Sequence, residues 1–121
     1  MGQTVAVLGA SHKPERYSNK AVRMLKEYGH SVIPVTPGRD VIEELPVVQE
    51  LGSIEGKVDT LTMYVGPERS AQLQDAILAL KPGRVILNPG TESPALEQAL
   101  TEAGIPWQHA CTLVMLRTGQ F

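Results

Sequence analysis

The sequence predicts an α/β fold, a three-layer doubly wound parallel sheet of about five strands, and three observations predict it. Short apolar, β-branched runs alternate with segments of helical period. Nearly every run ends at Gly or Pro. A length of 121 residues, 42% hydrophobic and 20% charged, suits one domain spanning 1–121. A chain of this size buries roughly two-thirds of its unfolded surface.

Taken in order, residues 4–10 (TVAVLGA) read as a strand buried on both faces and closed by Gly9. A polar loop, 11–17, contains Pro14. From Ser18 the period changes: Ala21, Val22, Leu25 and Tyr28 share a helical face, with Ser18 as the expected N-cap and Gly29 as the C′ stop. Residues 31–36 (SVIPVT) form a second buried strand, ended by Pro37-Gly38. Pro46, Gly52 and Gly56 break up 38–57, which reads as loop with at most one helical turn.

Residues 58–65 (VDTLTMYV) make a third strand. Pro67 suits the first position of a helix whose apolar face is Ala71, Leu73, Ala76, Ile77 and Leu80. RVILN, 84–88, is a fourth strand. Ser93-Pro94 opens a helix with Leu96, Ala99, Leu100 and Ala103 inward and Gly104 as its stop. A fifth strand is expected at 106–110, and the apolar tail CTLVMLRTGQF reads as a short helix. The expected strand order is 3-2-1-4-5, a Rossmann-like arrangement.

Charge and composition exclude several classes. Eleven Lys and Arg against thirteen Asp and Glu, scattered along the chain, give a net charge of −2 and no basic field for nucleic acid or an anionic membrane. The single cysteine, Cys111, leaves no internal disulfide framework and no Cys-rich zinc site. The start lacks a cationic flank and a long apolar run, and Ala6 stands where a Met1-Gly2 myristoylation pattern needs Ser or Thr. A cytoplasmic protein is expected.

An open parallel sheet binds ligands outside the carboxyl ends of its strands, where the strand order reverses. That rule gathers segments 9–19, 36–40, 64–69 and 88–92, rich in Gly, Pro, Ser, Asn and Arg. A dinucleotide fingerprint is missing. Gly9 stands alone instead of in Gly-x-Gly-x-x-Gly, and the second strand ends in Val35-Thr36-Pro37 with no acid for a ribose. There is no Walker pattern either. What remains is a longer polar loop reaching a helix N-terminus, a setting that favours an anion. Lys13, Arg16, Ser18 and Asn19 surround it, and Arg39 approaches from the second loop.

At these residues the sequence resembles the small CoA-binding-domain proteins: VLGAS at 7–11, Tyr17-Ser18-Asn19, PVTP at 34–37, and the Asn88-Pro89-Gly90 turn. The ending HACTLVML, 109–116, is similar to that of a stand-alone bacterial subgroup. A more distant likeness links Val35-Thr36-Pro37-Gly38-Arg39 to the N-terminal domain of the succinyl-CoA ligase alpha subunit. The resemblance implies coenzyme A across the sheet edge. Its phosphates would lie near Ser11, Ser18 and Asn19, and its adenosine end near 36–39 and 64–67. The candidate cofactor-binding residues are thus Gly9, Ala10, Ser11, Lys13, Arg16, Ser18, Asn19, Thr36, Pro37, Arg39, Tyr64, Val65, Gly66, Arg69, Asn88, Pro89 and Gly90. The large ligase uses a phosphorylated histidine on a separate domain, for which this sequence has no counterpart.

Each remaining reactive residue has a plainer reading. His12 reads as a solvated loop residue that can bond a phosphate, His30 as surface, and His109 as structural. No pair of histidines has metal-ligand spacing, and Ser11 beside His12 makes no triad. Cys111 reads as a small buried apolar residue, since nothing around it in the sequence is cationic until Arg117. Three functions stay open: a module that carries, stores or senses CoA or an acyl-CoA; a nucleotide-dependent enzyme, either a nicotinamide-linked reductase or acyl-CoA ligase-like; and a ligand-free interaction protein that dimerises through the sheet edge or tail.

Overall fold

A computed structural model describes residues 2–121. Five parallel strands form the main sheet: β1 (Thr4–Leu8), β2 (Ser31–Val35), β5 (Thr60–Met63), β6 (Arg84–Leu87) and β7 (Trp107–His109), in the order β2-β1-β5-β6-β7. A two-stranded antiparallel hairpin, β3 (Val41–Ile42) and β4 (Leu45–Pro46), forms a separate sheet packed beside β2. The helices are α1 (Tyr17–Glu27), α2 (Pro67–Leu80), α3 (Pro94–Glu102) and α4 (Thr112–Arg117). No helix of the described residues is long and apolar enough to cross a membrane.

The doubly wound α/β class is as expected, with one difference in order. Counted within the main sheet the strands run 2-1-3-4-5, so the third strand lies beside the first, opposite the second, instead of beyond the second. The cause lies in 38–57, too broken by Pro and Gly for a crossover helix around β2. That stretch forms the hairpin and a single 3-10 turn, Leu51–Ser53, which packs against α2. Leu51 and Val58 are buried there, and the chain enters β5 next to β1. The strand-order reversal therefore falls between β1 and β5.

Strand alternation divides the core. Val5 and Val7 of β1 pack with Val22 and Leu25 of α1 and Leu116 of α4, whereas Ala6 and Leu8 pack with Ile77 of α2 and Leu96 and Leu100 of α3. With both faces covered, β1 is buried nearly throughout, as its unbroken apolar run requires. Each fully buried aliphatic side chain here contributes about 1.5–3 kcal/mol. The helical faces are narrower than their periodicity suggests: Tyr28, Ala71 and Ala103 are exposed. Tyr28 lies past the last turn as the C-cap, and Gly29 follows with φ +87°.

Helix ends carry one correction. Ser93 caps α3, accepting Leu96 N–H at 3.3 Å, and Pro67 opens α2. The N-cap of α1, however, is Arg16 and not Ser18. A turn closed by Arg16 N–H to Lys13 O at 3.1 Å brings the chain into helical geometry at Tyr17, so Ser18 lies inside the first turn.

The hairpin turn places Glu43 (φ 51°) and Glu44 (φ 67°) in the left-handed region, the backbone of a two-residue I′ turn that ordinarily selects Asn or Gly. Its tip is tied to α1 by Lys26 Nζ donating to Glu43 O at 2.7 Å. Beyond it, the chain runs along the outer side of β2: Val48 N–H donates to Pro34 O at 3.0 Å, and Thr36 N–H donates to Val48 O at 3.1 Å.

Candidate functional site

The loops after β1, β2, β5 and β6 meet at the carboxyl edge of the sheet. Gly9 is the pivot. Its φ of +87° turns the chain out of β1, and a Cβ at this position would lie 2.8 Å from Val65 Cγ1 and 2.9 Å from Tyr64 O. Only glycine lets the loops after β1 and β5 approach this closely. Gly9 N–H donates to Val35 O at 3.0 Å, which fixes the loop against the end of β2.

Three clefts run along this edge, each sharing residues with the next. The first, about 340 Å³, is lined by Gly9, Thr36, Pro37, Val65 and Arg69 together with Gln49, Glu50 and Leu51. The second, about 310 Å³, is lined by Gly9, Ser11, Lys13, Arg16, Tyr17, Ser18 and Tyr64. The third, about 280 Å³ and mostly apolar, is lined by Tyr17, Tyr64, Asn88, Pro89, Cys111 and Leu113. Gly9 joins the first to the second; Tyr17 and Tyr64 join the second to the third.

The second cleft lies at the start of α1. This helix begins without a side-chain cap and without an acidic residue in its first turn, whereas α2 and α3 carry Glu68 and Glu97 there. Its leading N–H groups, the positive end of its dipole, Lys13 and Arg16 therefore present one sign of charge to the cleft. Burial pushes the Tyr64 hydroxyl up to about 12, with the Thr112 and Thr62 hydroxyls beside it. At the junction of the second and third clefts it is thus a protonated, neutral group.

Most of the sequence candidates come together on these clefts, and the exceptions have identifiable causes. Asn19 is fully buried; its amide donates to Ser11 O at 2.9 Å and to Glu43 Oε2 at 3.1 Å, and its oxygen accepts from Arg23 Nε at 2.8 Å. It shapes the loop, and its side chain is not free for a ligand. Asn88 borders the third cleft, yet it is 2% exposed and its polar atoms are spent inside the protein. Ala10 is buried beneath the loop. Gly66 belongs with Arg69 to a shallower depression at the start of α2. Gly90, at φ +91°, forms a turn and gives its N–H to Glu92. Arg39 lines none of the three clefts and instead bonds His12.

Sequence reasoning missed Gln49, Glu50 and Leu51, which the hairpin carries to the first cleft, and Leu113 of α4. Cys111 also needs correction: it is partly exposed and borders the third cleft instead of filling a core position. The reason is its place at the extended residue before α4, outside the helix that packs on the sheet. Among the histidines, His109 pairs with Glu97 at 2.8 Å. His30 accepts Gln3 N–H at 3.0 Å, and burial, followed by the Arg84 charge, lowers its pKa.

A family model described as CoA binding domain matches residues 3–117. The chain is 32% identical over 69 residues to the uncharacterized protein YneT of Bacillus subtilis (strain 168), a match covering 57% of this chain and 49% of that protein, or about half its length. The crystal structure of an uncharacterized protein superposes with a TM-score of 0.91 at 41% identity, covering 100% of this chain and 99% of that one. The structure of cell-free ID.343 from Thermus thermophilus gives 0.91 at 34% identity, covering 99% and 91%.

Proposed function

This chain belongs to the CoA binding domain family, and from that premise we propose that residues 1–121 act as one unit that binds coenzyme A or an acyl-CoA, without catalytic machinery of its own. The observation that carries the reading is the continuity of the three clefts, with the cationic one in the middle. A CoA molecule has the same order of parts: an adenosine, a diphosphate and a largely apolar pantetheine arm. In this reading the adenosine takes the cleft of Thr36, Pro37, Val65 and Arg69. The diphosphate takes the start of α1 beside Ser11, Lys13, Arg16 and Ser18. The arm takes the cleft of Tyr64, Pro89 and Leu113. The carrying, storing or sensing role follows from binding alone.

One observation favours a second reading. Glu50 lines the first cleft and offers the carboxylate that a nicotinamide dinucleotide uses on its ribose, even though β2 itself ends without one. Thermal shifts with CoA, acetyl-CoA, NAD, NADP and ATP separate the two. A ligand at a hundred times its Kd stabilises by about 2.7 kcal/mol, roughly 10 °C for a chain of this length. CoA or acetyl-CoA is expected to give that shift and NAD little. Equal shifts for CoA and NAD would sink the CoA reading.

The diphosphate placement has its own test. Ser18 lies in the first turn of α1 and is nearly buried on the second cleft. An acid in a first turn suits the helix dipole, so Ser18→Asp should stay folded while its charge repels the diphosphate. Affinity for CoA is expected to fall at least about tenfold, roughly 1.4 kcal/mol. Titration calorimetry on the folded variant checks it; unchanged affinity would put the diphosphate elsewhere.

A further inference from the structure

We propose that the third cleft receives the thioester end of the ligand and selects CoA thioesters with an uncharged, apolar acyl group over those whose acyl group carries a carboxylate. The inference rests on the CoA reading above and names the class of ligand within it. Tyr17 and Tyr64 are shared with the second cleft, which that reading gives to the diphosphate. An arm leaving the start of α1 therefore enters the third cleft past these two side chains. The side away from them is formed by Pro89, in the loop after β6, and by Cys111 and Leu113 at the start of α4. The sulfur end of the arm, with whatever is joined to it, meets those three residues.

That far side offers an anion nothing. Among the described residues that line the third cleft, none is charged. The Asn88 amide is already consumed by Thr62, Met63 and the Thr112 N–H, and the Tyr64 hydroxyl has Thr112 and Thr62 as partners. Of the three clefts, Lys13 and Arg16 line only the second. The first charged residue after Pro89 is Glu92, an acid, which accepts Gly90 N–H at 2.9 Å. The first after Leu113 is Arg117, one helical turn further on and lining none of the three clefts. A carboxylate brought to this wall sheds water and gains no partner. A methylene exchanges water for Pro89 and Leu113, a gain of about fourfold in affinity for each one fully buried. The edge is cationic at α1 and apolar beyond Tyr17 and Tyr64. An acyl-CoA without a charge on its acyl group has the same polarity, with its phosphates at one end and an apolar tail at the other.

Titration calorimetry with CoA, acetyl-CoA, butyryl-CoA and succinyl-CoA tests the selection, since the last two differ only in a terminal methyl replaced by a carboxylate. Butyryl-CoA is expected to bind at least about fourfold tighter than acetyl-CoA, the effect of burying one of its two added methylenes. Succinyl-CoA should bind at least about tenfold more weakly than butyryl-CoA. Cys111→Lys and Pro89→Lys each put a cation on the far side, at positions that are partly and fully exposed. Either variant should bring succinyl-CoA to within about threefold of butyryl-CoA, and the second serves if the first does not fold. Succinyl-CoA within about threefold of butyryl-CoA on the wild-type chain would overturn the selection while leaving the CoA reading intact. So would CoA bound without butyryl-CoA, or a preference unchanged in both folded variants, either of which puts the acyl end outside this cleft. A wild-type chain that binds none of the four would overturn the CoA reading and this inference with it.

Discussion

Asn88→Ala is expected to cost the fold about 3 kcal/mol or more, because it opens a buried hydrogen-bond network from its centre. The Asn88 amide donates to Thr62 Oγ1 at 2.7 Å and to Met63 O at 2.8 Å, and its oxygen accepts Thr112 N–H at 2.9 Å. Thr62 and Thr112 share a further bond of 2.8 Å between their hydroxyls. Removing the amide strands an acceptor on Met63 and a donor on Thr112, each costing about 1–3 kcal/mol when left buried and unpaired. The network also pins the start of α4 to the ends of β5 and β6. The variant should therefore loosen Cys111 and Leu113 around the third cleft. Denaturant titration measures the loss, with a midpoint for thermal unfolding lower by roughly 10 °C or more. A loss below about 1 kcal/mol, the net value of one ordinary hydrogen bond, would mean that Asn88 does not organise this end of the sheet.

Gly9→Ala should act on stability and affinity together. The left-handed φ of +87° costs any non-glycine residue about 1–2 kcal/mol. The new methyl must also force Val65 Cγ1 and Tyr64 O away from 2.8 and 2.9 Å, and overpacking of this kind costs about 1–3 kcal/mol. The expected total is about 3 kcal/mol. Since Gly9 borders both the first and second clefts, the forced separation shifts the two clefts relative to each other, and with them the adenosine and diphosphate positions proposed above. CoA affinity is expected to fall by about tenfold or more, measured by calorimetry at a temperature where the variant remains folded. Lost stability with wild-type affinity would show that the two loops move as one, or that the ligand does not span them.

The legible parts of the fold were those set by local physics. The run TVAVL, the punctuating glycines and prolines, and the Ser93-Pro94 start each dictate their structure within a few residues. What escaped depends on distant partners. Glu43-Glu44 carries no turn signal; Lys26 from α1 holds the Glu43 carbonyl and Asn19 holds its carboxylate. Without that hairpin, nothing places Gln49 and Glu50 on the first cleft or sends the third strand to the inner side of β1. Ser18 looked like a cap because its residue type fits one. The turn from Lys13 to Arg16 that starts the helix earlier is not visible in a pattern of apolar residues. For the candidate site, the sheet-edge rule named loops that do meet at one edge of the sheet, but it does not distinguish side chains that line a cleft from those, such as Asn19 and Asn88, consumed in building it.

The segment lying outside β2 bears on how the protein behaves in a crowded solution. A parallel sheet that stops at an uncovered strand offers a row of main-chain donors and acceptors to any other chain, the starting point for aggregates and fibrils. Here Pro34 has no N–H to offer, its carbonyl is already engaged by Val48, and the Thr36 N–H is taken by the Val48 carbonyl. Proline in an edge strand and a covering loop are both recognised ways of blunting such a template. Two molecules that meet side by side at the end of β2 find no main-chain bonds to exchange there, so the sheet does not propagate from one copy to the next at the end that carries the clefts.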